Sequence, residues 1–474
     1  MININDDPTA EKVFRFFSEI SDIPRGSGNT KGIAEYLVKF ANERKLEVIR
    51  DSCDNVIIKK DGTDGYESKP AVIIQGHTDI VAEKTPDCPL DMEKDGLKLY
   101  RDGDYLRAEG TSLGGDDGVA VAYALAILDS SDIPHPPIEA LFTSDEETGL
   151  IGATGLDASD LNGKLLINVD SDLEGVFTVG CAGGVRVDAT LSISRESFEG
   201  KVYKLTVGGL LGGHSGMEID KNRANAIKIL GEALSALPEI RLISFAGGNA
   251  DNAIPRDAVA YFKTNANVEK AFTDVTATIS NEWKASENDI KITLNESESA
   301  DTPLTAQSSK LLLTLVENEP TGVVSMSEDI EGLVETSLNM GIANTDETNF
   351  TLSFSLRSSK NDEKAALKEK VEKIASELSA SVSARGEYPA WEYKKDSKLR
   401  DLLCDVYEKM YKKSPEVLVI HAGLECGIFA GKIEGLDCVS IGPDNFDIHT
   451  PAEHLSISST ARVYEYILED LKNI

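Results

Sequence analysis

The stretch Ala71–Val81, AVIIQGHTDIV, decides the architecture. A run of β-branched residues closed by a glycine reads as a parallel strand covered on both faces, since no polar alternation interrupts it. Such strands present their chemistry at the carboxyl end, and here that end carries His77-Thr78-Asp79. Residues two apart on a strand point the same way, so the imidazole and the carboxylate can converge. Taken alone, the pair fits either a buried ion pair or two metal ligands, because buried charges need partners. What decides is whether other strand ends bring more ligands.

Upstream, the spacing of apolar residues predicts helices over Ala10–Ile20 and Lys31–Glu43, then short strands at Glu47–Arg50 and Asn55–Lys59. Downstream, a charged segment from Glu83 to Glu109 with several turn signals leads to Leu113-Gly114-Gly115-Asp116-Asp117-Gly118 and the apolar helix Val119–Leu128. The predicted strand Ile138–Thr143 ends in Ser144-Asp145-Glu146-Glu147, and the strand Lys164–Val169 ends in Asp170. Strands alternating with helices indicate an α/β fold with a mostly parallel, helix-covered sheet. From Val202 the order becomes β-α-β-β-α-β, the split βαβ unit, and a second, less regular set runs from about Ser308 to Val382. After Glu387 the α/β alternation returns. The expected organisation is one α/β domain, residues 1–185 and 387–474, interrupted by an α+β domain over 186–386 that two such units would fill.

The net charge of −33 over 474 residues argues against nucleic acid and against an anionic membrane surface as partners. The longest apolar stretch, Val119–Leu128, falls well short of the ~18 residues a membrane span needs. The opening MININDDPTAEK carries acids where a secretory signal carries positive charge. Six cysteines are scattered without a CxxC pair, which reads as reduced core thiols. A cytoplasmic enzyme or binding protein is expected.

His77 and Asp79, Asp116, Glu146 and Glu147, Asp170, and His449 in FDIHTPAEH all fall at strand ends or loops that a parallel sheet brings to one edge. Only positive charge makes such a crowd of carboxylates tolerable. Two histidines and several carboxylates suit divalent ions of the zinc type, and the number of ligands favours a bridged pair. Glu146 and Glu147 by themselves would be a solvated loop, Asp117 a turn residue and His135 structural; His454 competes with His449 for the ligand position.

QGHTDIV, LGGDDGVAVAYALAIL, TSDEETGLIGA, INVDSDLEG and IHTPAEHLSI resemble, in order and spacing, the co-catalytic zinc peptidase family of glutamate carboxypeptidase, aminoacylase and carnosinase. Within it, VFTVGCAGGVR, LLGGHSGMEID and HAGLECGIFAGK are most similar to the bacterial aminoacyl-histidine dipeptidase branch. The resemblance implies two Zn2+ per subunit, with Mn2+ or Co2+ as substitutes. His77 and Asp170 would hold one ion, Glu147 and His449 the other, and Asp116 would bridge them. It further implies that Asp79 orients His77, that Glu146 is the general base acting on a metal-bridging water, and that the Asp116–Asp117 peptide is cis. His214 in LLGGHSG resembles the histidine that stabilises the tetrahedral oxyanion. Arg357, Asn252, His421 and Glu425 are candidate substrate-binding residues, Arg357 as the clamp for a C-terminal carboxylate.

The implied activity is hydrolysis of small peptides with a free N-terminus, Xaa-His dipeptides and β-alanyl-histidine among them. A tripeptidase, an N-acyl-amino-acid deacylase and a non-catalytic metal-binding protein are the alternatives. The inserted domain would act as a lid and as the contact of a homodimer, with a monomer as the other arrangement.

Overall fold

The computed structural model describes residues 8–298 and 301–474; the acidic opening Met1–Asp7, which enters the expectation about secretion, lies outside them. The chain forms two compact units: Met1–Cys181 with Tyr393–Val419 and Leu424–Ile474, and Ala182–Glu392 with Ile420–Gly423. The return of Ile420–Gly423 to the second unit has no signature in the sequence.

The first unit is built on an eight-stranded sheet in the order Glu47–Arg50, Val56–Lys60, Ile138–Thr143, Val72–His77, Leu165–Asn168, Asp437–Ser440, Val176–Cys181, Glu416–Ile420. Its four central strands run parallel, whereas Val56–Lys60 and Val176–Cys181 join from either side in antiparallel register. Every residue of Val72–His77 is buried, as its unbroken apolar run requires. Helix Gly115–Asp129 is apolar all round and packs against that strand, with Val119–Leu128 entirely buried. Gly76 permits this approach, since a Cβ there would collide with Ala120 Cβ and the Asp117 carboxylate. Pro8–Ser21 packs against the same helix and against Ile457–Asn473, with Ala10, Val13, Phe14, Phe17 and Ile20 buried.

The charged segment Glu83–Glu109, with its turn signals, contains a hairpin, Leu99–Asp102 and Tyr105–Ala108, which pairs with His454–Ser456 and through it Asn445–Phe446 in a small four-stranded sheet. This sheet anchors both ends of the loop bearing His449. None of the cysteines is in a disulfide; Cys181, Cys426 and Cys438 are buried, but Cys53, Cys88 and Cys404 are half-buried, which corrects their placement in the core.

The second unit is one nine-stranded antiparallel sheet with helices Ala226–Ser235, Glu269–Trp283, Ala306–Asn318 and Asn361–Glu377. The sheet is two copies of one pattern. Lys201–Gly208, Arg241–Gly247, Ala258–Thr264 and Lys291–Ser297 lie in the spatial order fourth, first, third, second. Gly183–Ser192, Val334–Thr345, Asn349–Ser358 and Ser381–Tyr388 repeat it, and the halves meet through a single register pair, Gly247↔Ala343. The less regular second set therefore lacks nothing: its first strand, Gly183–Ser192, stands ahead of the whole first set, Lys201–Ser297, in the chain.

Candidate active site

The carboxyl ends of the central strands converge as a parallel sheet dictates. His77 ends Val72–His77, Glu146 and Glu147 follow Ile138–Thr143, Asp170 follows Leu165–Asn168, and Asp116 opens the buried helix. The Asp116–Asp117 peptide is cis. Asp116 Oδ1 lies 3.0 Å from His77 Nε2, and Asp116 Oδ2 lies 3.0 Å from His449 Nε2. Asp170 Oδ1 is 3.7 Å from His77 Nε2, and Glu147 Oε1 is 2.9 Å from His449 Nε2. Three groups result, each with its ligand atoms within 4.8 Å of one another: His77-Glu146-Glu147 and the two triads that share Asp116, His77-Asp116-Asp170 and Asp116-Glu147-His449.

The electrostatics show what the arrangement wants. Burial lifts the Asp170 carboxyl well above its usual range, with Asp117 next in effect, and burial lifts Glu146 to about 8. Asp116 is held far below the usual range, its burial outweighed by hydrogen bonds from His449 and His77. Contacts to Asp116 and Glu147 raise His449 to about 10. Arg25 is buried beside Glu453, Asp79, Asp117 and Asp116, and desolvation brings its guanidinium down to about 10. Imidazoles and one buried guanidinium do not balance this many carboxylates. Two imidazoles and three carboxylates in triads sharing one aspartate are a donor set that fits divalent cations of the zinc type.

Asp79 does more than the sequence suggests. His77 Nδ1 sits 3.0 Å from the Asp79 backbone carbonyl and 3.5 Å from its carboxylate. That carboxylate instead accepts the N–H groups of Glu146 and Glu147, at 3.0 and 3.3 Å, and the Ser27 hydroxyl at 2.8 Å. One buried acid thus fixes the turn that carries both glutamates.

Sequence reasoning missed Arg25, Ser27 and Glu453. Arg25 donates to the carbonyls of Thr78 and Gly114, at 2.9 and 2.8 Å, tying the His77 loop to the Asp116 loop. Glu453 accepts the N–H groups of Leu113, Gly114 and Gly115 at 2.7, 2.8 and 2.8 Å, and that of Asp116 at 3.3 Å. Glycines on both sides of Asp116 and the acid four residues beyond His449 were the available signals.

Glu425 is enclosed, accepting from Gln75 Nε2 at 2.6 Å and Thr143 Oγ1 at 2.7 Å. Gln75 in turn accepts from Asn168 Nδ2 at 2.6 Å, so these polar groups lock three strand ends under the triads. Glu425 is wholly buried in this arrangement, which leaves it no surface toward a ligand, against its expectation as a substrate-binding residue.

The second unit gathers His214, Asn252, Arg357 and His421. His214 Nδ1 accepts the N–H groups of Gly216 and Met217, each at 3.2 Å, so its proton sits on Nε2. The Asn252 carbonyl accepts from Ser215 N–H at 2.8 Å, and Gly216 leaves room for the His214 ring and the His421 carbonyl. His421 Nε2 is 2.7 Å from Ser337 Oγ, and Ser337 faces Arg357 in strand register. Arg357 Nη1 donates to the Tyr388 hydroxyl at 3.1 Å.

Burial, then the Arg357 charge, brings His421 down to about 4. The unfolded chain binds a proton near 6.5 that the folded chain refuses until about 4, so this contribution is intact above pH 6.5 and lost as pH falls toward 4. It amounts to roughly 3 kcal/mol at most. The stability gap between wild type and His421→Gln, read from urea midpoints, should therefore narrow over that interval. A gap independent of pH would show that the imidazole titrates normally.

Comparison with known proteins bears on this geometry. The pattern of peptidase family M20/M25/M40 matches residues 73–472. Cytosol non-specific dipeptidase of Escherichia coli (strain K12) is 35% identical over 473 residues, 98% of each chain. The crystal structure of aminoacylhistidine dipeptidase from Vibrio alginolyticus superposes with a TM-score of 0.91 at 35% identity, covering 98% of this chain and 96% of that one. A tripeptidase from Staphylococcus aureus subsp. aureus Mu50 shares the fold, with a TM-score of 0.57 at 18% identity over 98% of both chains. No helix among the described residues is long and apolar enough to cross a membrane. The chain belongs to peptidase family M20/M25/M40 and is a metallopeptidase.

Proposed function

We propose that this protein hydrolyses dipeptides with a free N-terminus, Xaa-His and β-alanyl-histidine among them, using two divalent ions, zinc in the first place and manganese or cobalt as substitutes. The observation that carries the reading is the pair of triads sharing Asp116, with Glu146 directly before one ligand. The names of the E. coli and Vibrio relatives support the substrate class, and the former supports the cytoplasm as the site of action.

His77 and Asp170 would hold one ion, Glu147 and His449 the other, and Asp116 both. Ions there would polarise the scissile carbonyl, bring the pKa of water toward neutrality, and draw Glu146 down from about 8. Glu146 takes the proton of the attacking water and passes it to the leaving amine. Its backbone N–H is held by Asp79, so the base starts from a fixed turn. His214, neutral with its proton on Nε2, is suited to donate to the oxyanion. We assign Arg357 to the substrate carboxylate, with Asn252 and His421 beside it. The acid-rich triads suit a free amino group better than an acylated one.

The test is hydrolysis of β-alanyl-histidine, Gly-His, Gly-Leu and N-acetyl-histidine by the ion-loaded protein. Cleavage of the free dipeptides alone is expected; cleavage of N-acetyl-histidine alone would mean a deacylase. We also propose that two copies associate through the second unit, which sedimentation would show as a dimer. A monomer would leave His214 serving its own chain.

A further inference from the structure

We infer that Glu453 is a positioning residue that sets the Asp116 carboxylate between the two triads; this rests on the metal-centre reading above. Its two oxygens divide four consecutive N–H groups: Oε2 takes Leu113 and Gly114, and Oε1 takes Gly115 and Asp116. Leu113 and Gly114 precede helix Gly115–Asp129, and Gly115 and Asp116 open it with a break in its backbone angles at Asp116 and Asp117, so no intrahelical carbonyl meets these four donors. A neutral serine or asparagine cap would serve one or two of them without placing another charge here. The chain instead buries a carboxylate, 2% exposed, between the Arg25 guanidinium that attracts it and Asp116 that repels it. Such a choice makes sense where the whole segment must be held, not merely started.

The position of Glu453 explains what is held. It stands four residues after His449 in one loop, Asn445–Ser456, whose two ends pair as strands. The loop therefore reaches the Asp116 segment twice, through His449 Nε2 to Asp116 Oδ2 at 3.0 Å and through Glu453 to the backbone beneath. Arg25 grips the same segment from its carbonyl side at Gly114. Each Asp116 oxygen faces a different imidazole, so a shift of this backbone moves ligand atoms of both triads together. Glu453 thus couples the spacing of Asp116 and His449 to one rigid loop.

The experiment is cobalt titration of metal-free wild type and Glu453→Gln, followed by visible absorption and by heat, with kcat and KM for Gly-Leu measured on the loaded proteins. The amide turns an N–H2 toward backbone donors, so both sites should weaken by about 10- to 100-fold together, the loaded spectrum should change, and kcat should fall with little change in KM. Glu453→Asp keeps the charge one methylene short and should lie between the two; it stands in should Glu453→Gln not fold. A variant with the wild-type cobalt isotherm, spectrum and kcat but a lower melting temperature would overturn the inference and leave Glu453 a helix cap. Wild type that binds no pair of ions would instead overturn the metal-centre reading and this inference with it, a result visible before any variant is compared.

Discussion

Glu146→Gln is expected to lower kcat for β-alanyl-histidine by about 10²- to 10⁴-fold, the usual worth of a positioned general base, while ion content and KM stay near wild type. The side chain is not among the atoms of either Asp116-centred triad, so its loss should not empty them. It lies deep enough for burial to raise it to about 8, and its neighbours Glu425, Glu147 and Asp116 push the same way. Ions in the triads would draw it down from there and leave a carboxylate able to take a proton near neutral pH. The amide keeps the volume and cannot take that proton. Equal turnover by the two proteins would remove Glu146 from the mechanism, and loss of an ion along with turnover would make it a ligand instead. Counting ions by mass spectrometry beside the kinetics separates the two.

Asp116→Ala should do something different: both ions go, and activity falls roughly a thousandfold or more, the rate equivalent of about 4 kcal/mol of transition-state stabilisation. The reason is geometric. Among the described residues, Asp116 is the one carboxylate whose two oxygens stand 3.0 Å from two separate imidazoles. Asp170 and Glu147 each belong to one of the two Asp116-centred triads, so Asp170→Ala or Glu147→Ala should leave one ion bound. Chelation of wild type should reproduce the activity loss and lower the melting temperature, since an ion at a hundred times its dissociation constant contributes about 2.7 kcal/mol to the folded state. Retention of one full equivalent by Asp116→Ala would show two independent sites and sink the bridging role.

What the sequence made legible follows from how locally each signal is encoded. His77, Glu146, Glu147 and Asp170 announce themselves because each directly follows an apolar run, and a parallel sheet gives such runs one possible meeting place. Asp116 is readable from the glycines around it and the apolar helix it opens. Arg25, Ser27 and Glu453 carry no periodicity; they act through hydrogen bonds to backbone groups far along the chain, and no spacing rule reports such partners. Asp79 was visible, yet its carboxylate serves Glu146, Glu147 and Ser27 as much as the imidazole beside it. Glu425 looked like a pocket residue because HAGLECG is polar and glycine-rich, but the side chain turns inward to Gln75 and Thr143. The hairpin Leu99–Ala108 hid within a charged stretch because its small sheet is exposed on much of its surface, which blurs the alternation that marks a strand.

The register of the second unit has a bearing on how the chain finds its fold. The hydrogen bond from Leu113 to Glu453 joins residues 340 apart, a costly ring for an unfolded polymer to close. The inserted segment begins and ends on neighbouring strands, with Gly184 paired to Tyr388. Once that sheet has formed, its two ends stand side by side, and the ring still to be closed is less than half as long. Each halving lowers the entropic cost by about 0.6 kcal/mol. The insertion thus works as a short circuit, and destabilising it should slow the assembly of a catalytic unit whose own contacts are untouched.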